Sequence, residues 1–78
     1  MSEQHRARRL YAALDYMGEA QAALEEASES LLAAECNANA GGDEQLTREA
    51  EILKRAVSAE ADGVKQSIRR ARERRSKR

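Results

Sequence analysis

The chain has 78 residues, contains no proline, phenylalanine or tryptophan, and balances 14 basic against 14 acidic side chains for a formal net charge of zero. This length allows one small domain at most, and no apolar run approaches the roughly 18 residues that a membrane-spanning helix needs. Alanine, glutamate and arginine dominate while β-branched and aromatic residues are scarce, so the composition predicts an all-α fold with long helices.

The first predicted helix covers residues 3 to about 38, with Ser2 as its N-cap. Its apolar residues follow a seven-residue repeat in which one long side chain and one alanine alternate. The repeat consists of Leu10, Ala13, Met17, Ala20, Leu24, Ala27, Leu31 and Ala34. With Leu10 at heptad position a, the flanking e and g positions are mostly neutral, whereas those of a two-stranded coiled coil usually carry charge. The apolar stripe is therefore wide, which is typical of a helix in a four-helix bundle, and we expect Leu24 to be fully buried in it.

Asparagine and glycine residues between positions 37 and 42 predict the end of this helix. Asp43 is a suitable N-cap for the next one. The turn is therefore placed at about residues 39–43 and the second helix at about residues 44–73, followed by a frayed basic tail to residue 78. Gly63 weakens the helical pattern, but the apolar spacing continues across it, so we expect one continuous helix.

The second helix carries a main apolar stripe and a narrower one beside it. The main stripe consists of Leu46, Ala50, Leu53, Val57, Ala61, Val64, Ile68 and Ala71. Its spacing is closer to an eleven-residue repeat than to a strict heptad, which predicts slight supercoiling. The second stripe consists of Ile52, Ala56 and Ala59.

A short turn between two long helices predicts an antiparallel helical hairpin. Two helices share one contact and leave their second stripes exposed, and exposed apolar stripes of this length mark an interaction surface. We therefore expect two hairpins to pair as a homodimer into a four-helix bundle. The residues predicted for helix packing are Leu10, Ala13, Met17, Ala20, Leu24, Ala27, Leu31, Leu53, Val57, Val64 and Ile68.

No combination of side chains in the sequence predicts a catalytic, cofactor or metal site. His5 is the only histidine and lacks a partner at metal-ligand spacing. Cys36 has no histidine within reach to act as a base, and Glu25, Glu26 and Glu29 occupy outer heptad positions typical of a solvated face. We therefore expect a protein without enzymatic activity, cofactor or metal. The lone cysteine and the absence of an apolar signal-peptide segment favour the cytoplasm.

Charge is sorted along the chain. Residues 11–35 carry six acidic side chains and no basic one, whereas residues 64–78 carry eight basic side chains and one acidic one. An antiparallel hairpin brings both termini together, so it acquires one strongly positive end. The residues predicted there to contact nucleic acid or an acidic partner are Arg6, Arg8, Arg9, Arg69, Arg70, Arg72, Arg74 and Arg75. No aromatic residues interleave with them for base stacking, which ranks nucleic acid below protein as a partner.

The predicted architecture is similar to that of the small helical hairpins that dimerise into Rop-like bundles. Several residues also resemble the small hairpin co-chaperones of type III secretion needles, over about half of the chain. These residues are Ala23-Leu24, Gly41-Gly42-Asp43, Gln45 and Arg48-Glu49. Both resemblances imply a helical hairpin, and no functional residue is carried over from them.

The sequence therefore predicts a non-enzymatic helical hairpin that self-associates and acts by binding another protein, as an adaptor, a regulator or a small chaperone-like protein. The alternative is a nucleic-acid-binding regulator that uses the basic end formed by both termini. The oligomeric state bears on this choice, because it decides which apolar stripe remains free.

Overall fold

The computed structural model describes residues 2–76, which form two α-helices joined by a tight turn. Helix α1 is Glu3–Ala40 and helix α2 is Glu44–Ser76. The helices run antiparallel and pack against each other from the turn to the termini, which produces a rod of 59 × 19 × 14 Å. No strand is present within residues 2–76. The predicted all-α helical hairpin is confirmed.

Both helices begin at the residues that the sequence predicted as N-caps. The Ser2 hydroxyl accepts a hydrogen bond from the backbone N–H of His5 at 3.1 Å. The Asp43 carboxylate accepts one from the N–H of Leu46 at 3.0 Å. Each cap satisfies one of the N–H groups that have no partner within the first turn of a helix.

The connection between the helices is closed by a Schellman motif. The N–H of Gly42 donates to the carbonyl of Asn39 at 3.1 Å, and the N–H of Asp43 donates to the carbonyl of Ala38 at 3.0 Å. Gly42 has a φ of 79°, in the left-handed region that glycine adopts without steric cost. Helix α1 ends at Ala40, two residues later than expected, because the chain reverses only at this glycine.

Helix α2 is continuous through Gly63 and reaches Ser76, three residues beyond its expected end. The Arg75 guanidinium lies 4.5 Å from the centre of the Tyr11 ring, a cation–π contact that ties the last turn of α2 to α1. Basic residues in the last turn also interact favourably with the helix dipole. Residues 77 and 78, the end of the predicted tail, lie outside the described residues.

The contact between the helices is built mainly from small side chains. The buried apolar residues are Ala38, Ala50, Ala61 and Ile68, which are 4–8% exposed. On α1, the residues that face α2 occupy heptad positions a and e. Leu24 is half-buried, not fully buried as expected, because α2 covers its e side while its d side, next to Ala20, stays open.

On α2, the covered residues follow a strict heptad and not the expected eleven-residue spacing, apart from Glu51 and Ser67 at the two edges of the contact. The residues of the heptad are Thr47, Ala50, Lys54, Val57, Ala61, Val64, Ile68, Ala71 and Arg75. The irregular spacing came from Leu46 and Leu53, which lie outside the interhelical contact and are 49% and 53% exposed.

Candidate functional site

The two long sides of the rod, where a flank of α1 meets a flank of α2, differ in chemistry. One of them, the polar side, is lined by Gln21, Glu25, Ser28, Ser58, Asp62 and Lys65 together with Ala61. The hydroxyls of Ser28 and Ser58 lie 2.8 Å apart, and the Gln21 amide donates to the Glu25 carboxylate at 3.0 Å. Because polar and charged side chains line this side, it remains stable when exposed to solvent.

The opposite side, which we call the apolar side, begins near the termini as an open groove of about 460 Å³. The groove is formed by Leu10, Ala13, Leu14, Met17, Ser67 and Ala71, with Arg74 and Arg75 at its outer end. Heptad spacing continues the same flank of α1 toward the turn through Ala20, Ala27 and Ala34, and that of α2 through Glu60, Leu53 and Leu46. The α1 flank of the apolar side is therefore apolar along most of the rod, whereas Glu60 interrupts the α2 flank.

The single chain leaves much of the apolar side open to solvent. Of the residues predicted for helix packing, Ile68 is buried, and Met17, Leu24, Ala27, Leu31, Val57 and Val64 are half-buried. Leu10, Ala13, Ala20 and Leu53 are exposed, and all four line the apolar side. That these four pack against another helix stays a prediction.

The exposed area of the chain is large for its mass. It amounts to 6294 Å², about 1,600 Å² more than the roughly 4,700 Å² expected from size scaling for a globular monomer of 8.7 kDa. The excess arises because a single layer of two helices encloses very little interior. A specific interface of standard size takes about 800 Å² from each partner, so this excess leaves ample area for one.

A group of exposed apolar residues on α2 near the turn extends from the apolar side onto the outer surface of the helix. Leu46, Ile52 and Leu53 are 49%, 62% and 53% exposed, and Ala56 lies beside them at helical spacing. We call these four residues the turn cluster. It contains Ile52 and Ala56 of the second stripe predicted on α2, together with Leu46 and Leu53, which were predicted for the main stripe.

The rod carries opposite charge at its two ends. Residues 3–14 and 65–76, at the end formed by the helix termini, carry nine basic and two acidic side chains. Residues 25–62, at the turn end, carry three basic and ten acidic ones. Of the arginines predicted as contacts, Arg75 is half-buried against Tyr11, and the others, Arg6, Arg8, Arg9, Arg69, Arg70, Arg72 and Arg74, are exposed.

Cys36 and His5 are the remaining candidates for metal binding or catalysis. Cys36 is a free, exposed thiol, and His5 is exposed. Within residues 2–76 no group of three or more His, Cys, Asp or Glu side chains is placed to hold a metal ion. Neither of the two described helices combines the length and apolar character needed to cross a membrane. Comparison of the chain with protein-family models, curated proteins and solved structures finds no match.

Proposed function

We propose that this protein is a non-enzymatic helical hairpin that self-associates and acts by binding another protein, as an adaptor, a regulator or a small chaperone-like protein. The observation that carries the proposal is the apolar side, where Leu10, Leu53 and a row of alanines remain exposed in the single chain. Contiguous apolar surface of this extent marks an interaction site. A cytoplasmic location, favoured by the single cysteine, belongs to the same proposal.

The thin interior of the hairpin supports self-association. Three of its four buried apolar residues are alanines, and Ile68 is the only large one among the described residues. A chain of fewer than about 80 residues gains only a few kcal/mol from a single core of ordinary composition. Pairing two hairpins through their apolar sides adds a second layer, which supplies the missing burial for both chains.

The turn cluster supports a role in binding another protein. It extends from Leu53 on the apolar side to Ile52 on the outer surface of α2, so a second copy seated on the apolar side leaves Ile52 exposed. Apolar side chains at the spacing of Ile52 and Ala56 suit an amphipathic helix of a partner. The acidic side chains around the cluster, such as Glu49, favour a partner helix flanked by basic residues.

Light scattering in line with size-exclusion chromatography tests the self-association. We expect a mass of two chains at tens of micromolar and a thermal midpoint that rises with protein concentration. A monomeric mass with a midpoint that does not depend on concentration would overturn the proposal.

A matched pair of variants then locates the interface. Ala20→Glu places a charge on the apolar side, whereas Ala22→Glu places the same charge on an outward-facing position two residues away; both alanines are exposed in the single chain. We expect Ala20→Glu to be monomeric and Ala22→Glu to stay dimeric. Equal dimerisation of the two variants would exclude the apolar side as the interface.

A second candidate function is nucleic-acid binding, and it is favoured by one observation. Lys65, Arg69 and Arg72 line an open groove at the basic end of the rod, where a phosphate backbone is able to reach several cations at once. The acidic side chain of Glu73 shares this groove, which weakens its attraction for phosphate. We therefore rank this function second.

Fluorescence anisotropy with random DNA and RNA at several salt concentrations separates the two functions. We expect weak binding or none near physiological salt. Micromolar or tighter affinity would promote the second candidate, provided that it falls with salt at a log–log slope of about −0.9 per neutralised phosphate on duplex DNA. It must also be lost when Arg69 and Arg72, which line the groove, are replaced by glutamine. The matched control replaces Arg48 and Arg55, near the turn, in the same way.

A further inference from the structure

We propose that two copies of the hairpin pair antiparallel through their apolar sides, with α1 packed on α1 of the second copy. In this arrangement each long side chain of the heptad repeat meets an alanine. The inference rests on the proposed function, because it specifies how the self-association occurs. Three observations carry it: the alternation of side-chain size along α1, the charge difference between the two ends of the rod, and the groove beside Ala13.

Symmetry leaves two ways of joining identical rods face to face through the same side. A twofold axis perpendicular to the rods places α1 against α1 and α2 against α2, and the two rods run antiparallel. A twofold axis along the rods places α1 against α2 of the other copy, and the two rods run parallel. The observations on side-chain size and charge distinguish these arrangements.

In an antiparallel pair of α1 helices, residues that lie opposite each other have numbers with a constant sum. Because α1 is Glu3–Ala40, full overlap of the two copies corresponds to a sum of 43. A shift of one residue, to 44, aligns the whole repeat so that a long side chain always faces an alanine. The resulting pairs are Leu10 with Ala34, Ala13 with Leu31, Met17 with Ala27, and Ala20 with Leu24.

This alternation makes the two surfaces complementary in shape. A long side chain beside an alanine fills the space that the alanine leaves, and helices joined in this way approach to the short end of the usual 8–10 Å range. The groove near the termini fits this register, since Leu31 of the second copy lies opposite Ala13 on its floor. The parallel arrangement instead directs Glu60 of α2 toward the alanine row, where its charge loses solvent and residues 11–35 of α1 offer no cation.

The charge distribution favours the same arrangement. The antiparallel pair places the basic end of one rod, with nine basic and two acidic side chains, beside the acidic turn end of the other, with ten acidic and three basic ones. The parallel pair superimposes two basic ends and two acidic ends. Complementary fields steer association and suppress the wrong orientation.

The register on α1 also determines the contacts on α2. Residues facing each other across the hairpin have numbers that add up to about 87, between 86 for Ser28 and Ser58 and 89 for Glu35 and Lys54. A sum of 44 on α1 therefore corresponds to about 130 on α2. Glu60 of each copy then lies within about one helical turn of Arg70 of the other, close enough for their long side chains to form two ion pairs related by symmetry.

Disulfide cross-linking between single-cysteine chains tests the arrangement. Cys36, which is exposed, is first replaced by serine, and Leu10→Cys, Ala34→Cys and Leu53→Cys are made separately in that background. All three positions are exposed in the single chain, so the hairpin itself is left intact. The chains are mixed in pairs, one of each pair carrying a tag that changes its mass, and are oxidised and separated by denaturing electrophoresis.

A disulfide forms only when the two Cα atoms come within about 7 Å. We expect a mixed dimer from the Leu10→Cys and Ala34→Cys chains and none from the Ala34→Cys and Leu53→Cys chains. The parallel arrangement predicts the reverse, because it separates positions 10 and 34 of different copies by about 24 residues of helix rise, or about 36 Å.

The outcomes separate this inference from the proposed function. A dimeric mass combined with a cross-link between positions 34 and 53, or with no cross-link between positions 10 and 34, overturns the antiparallel register and leaves self-association standing. A monomeric mass for the Cys36→Ser parent overturns both.

Discussion

Replacing Leu24 by alanine tests how much of the stability of the protein comes from the single hairpin and how much from self-association. In the single chain Leu24 is half-buried, with α2 on one side and solvent on the other. Removal of a fully buried leucine side chain costs about 2–5 kcal/mol. Roughly half of that, about 1–2.5 kcal/mol, applies to a side chain that is covered on one side only.

In the proposed dimer the open side of Leu24 is covered by Ala20 of the second copy, and the full cost returns. Unfolding by urea, followed by circular dichroism at micromolar and at submillimolar protein concentration, measures both values. We expect the loss of unfolding free energy to be larger at the higher concentration. Each kcal/mol corresponds to about 4–8 °C in thermal midpoint for a domain of this size.

Two results would refute this reasoning. A midpoint that moves by only a degree or two at every concentration means that Leu24 is not part of the packing at all. A clear loss of stability that is the same at both concentrations means that α2 alone provides the contacts of Leu24, and the open side of the residue stays in solvent.

The remaining predictions concern the helix ends, the glycines and the charges between copies. Gly18→Ala is expected to raise the unfolding free energy by about 0.5–1 kcal/mol, since a Cβ there meets nothing within 4 Å. Gly42→Ala is expected to lower it by about 1–2 kcal/mol because of its positive φ, and thermal melts with the same direction of change for both glycines would contradict this. Asp43→Ala removes the N-cap of α2 and is expected to cost about 1 kcal/mol, whereas Asp43→Asn, which keeps the acceptor oxygen, is expected to retain most of the stability. Glu60→Arg or Arg70→Glu alone is expected to weaken dimerisation in sedimentation equilibrium by about 0.5–1 kcal/mol per ion pair. The double variant is expected to restore it, and failure of that rescue would argue against the register on α2.

Local sequence patterns were sufficient to predict the elements of the fold. Ser2 and Asp43 each stand immediately before a helical stretch, and their side chains cap it as expected. The end of α1 was harder to predict, because Asn39 is compatible with a helix and with a turn. Asn39 belongs to the helix because the N–H groups of Gly41 and Gly42 donate to the carbonyls of Asn37 and Asn39.

The pattern of α1 alone did not predict which flank of its repeat faces α2. Apolarity alone predicts that the alanines at position d face α2, because position e carries polar residues such as Gln21 and Ser28. The e flank faces α2 because that helix supplies Ser58 and Lys54 as partners for the polar groups. Such pairing depends on the register between two helices, and the periodicity of one helix contains no information about it.

The ion pair between Glu35 and Lys54, with an N–O distance of 2.6 Å, affects the choice among alternative packings of the two helices. A heptad repeat is degenerate, since sliding one helix by seven residues superimposes similar apolar side chains and buries a similar area. A carboxylate in the interhelical contact breaks this degeneracy, because a slip of seven residues replaces Lys54 opposite Glu35 by Ala61 or Thr47 and leaves the carboxylate without its cation. The pair contributes little to the stability of the native packing, because the partial loss of solvent by both charges offsets their attraction. It widens the energy gap between that packing and its nearest competitors, which is the quantity that makes a repetitive sequence fold to one structure.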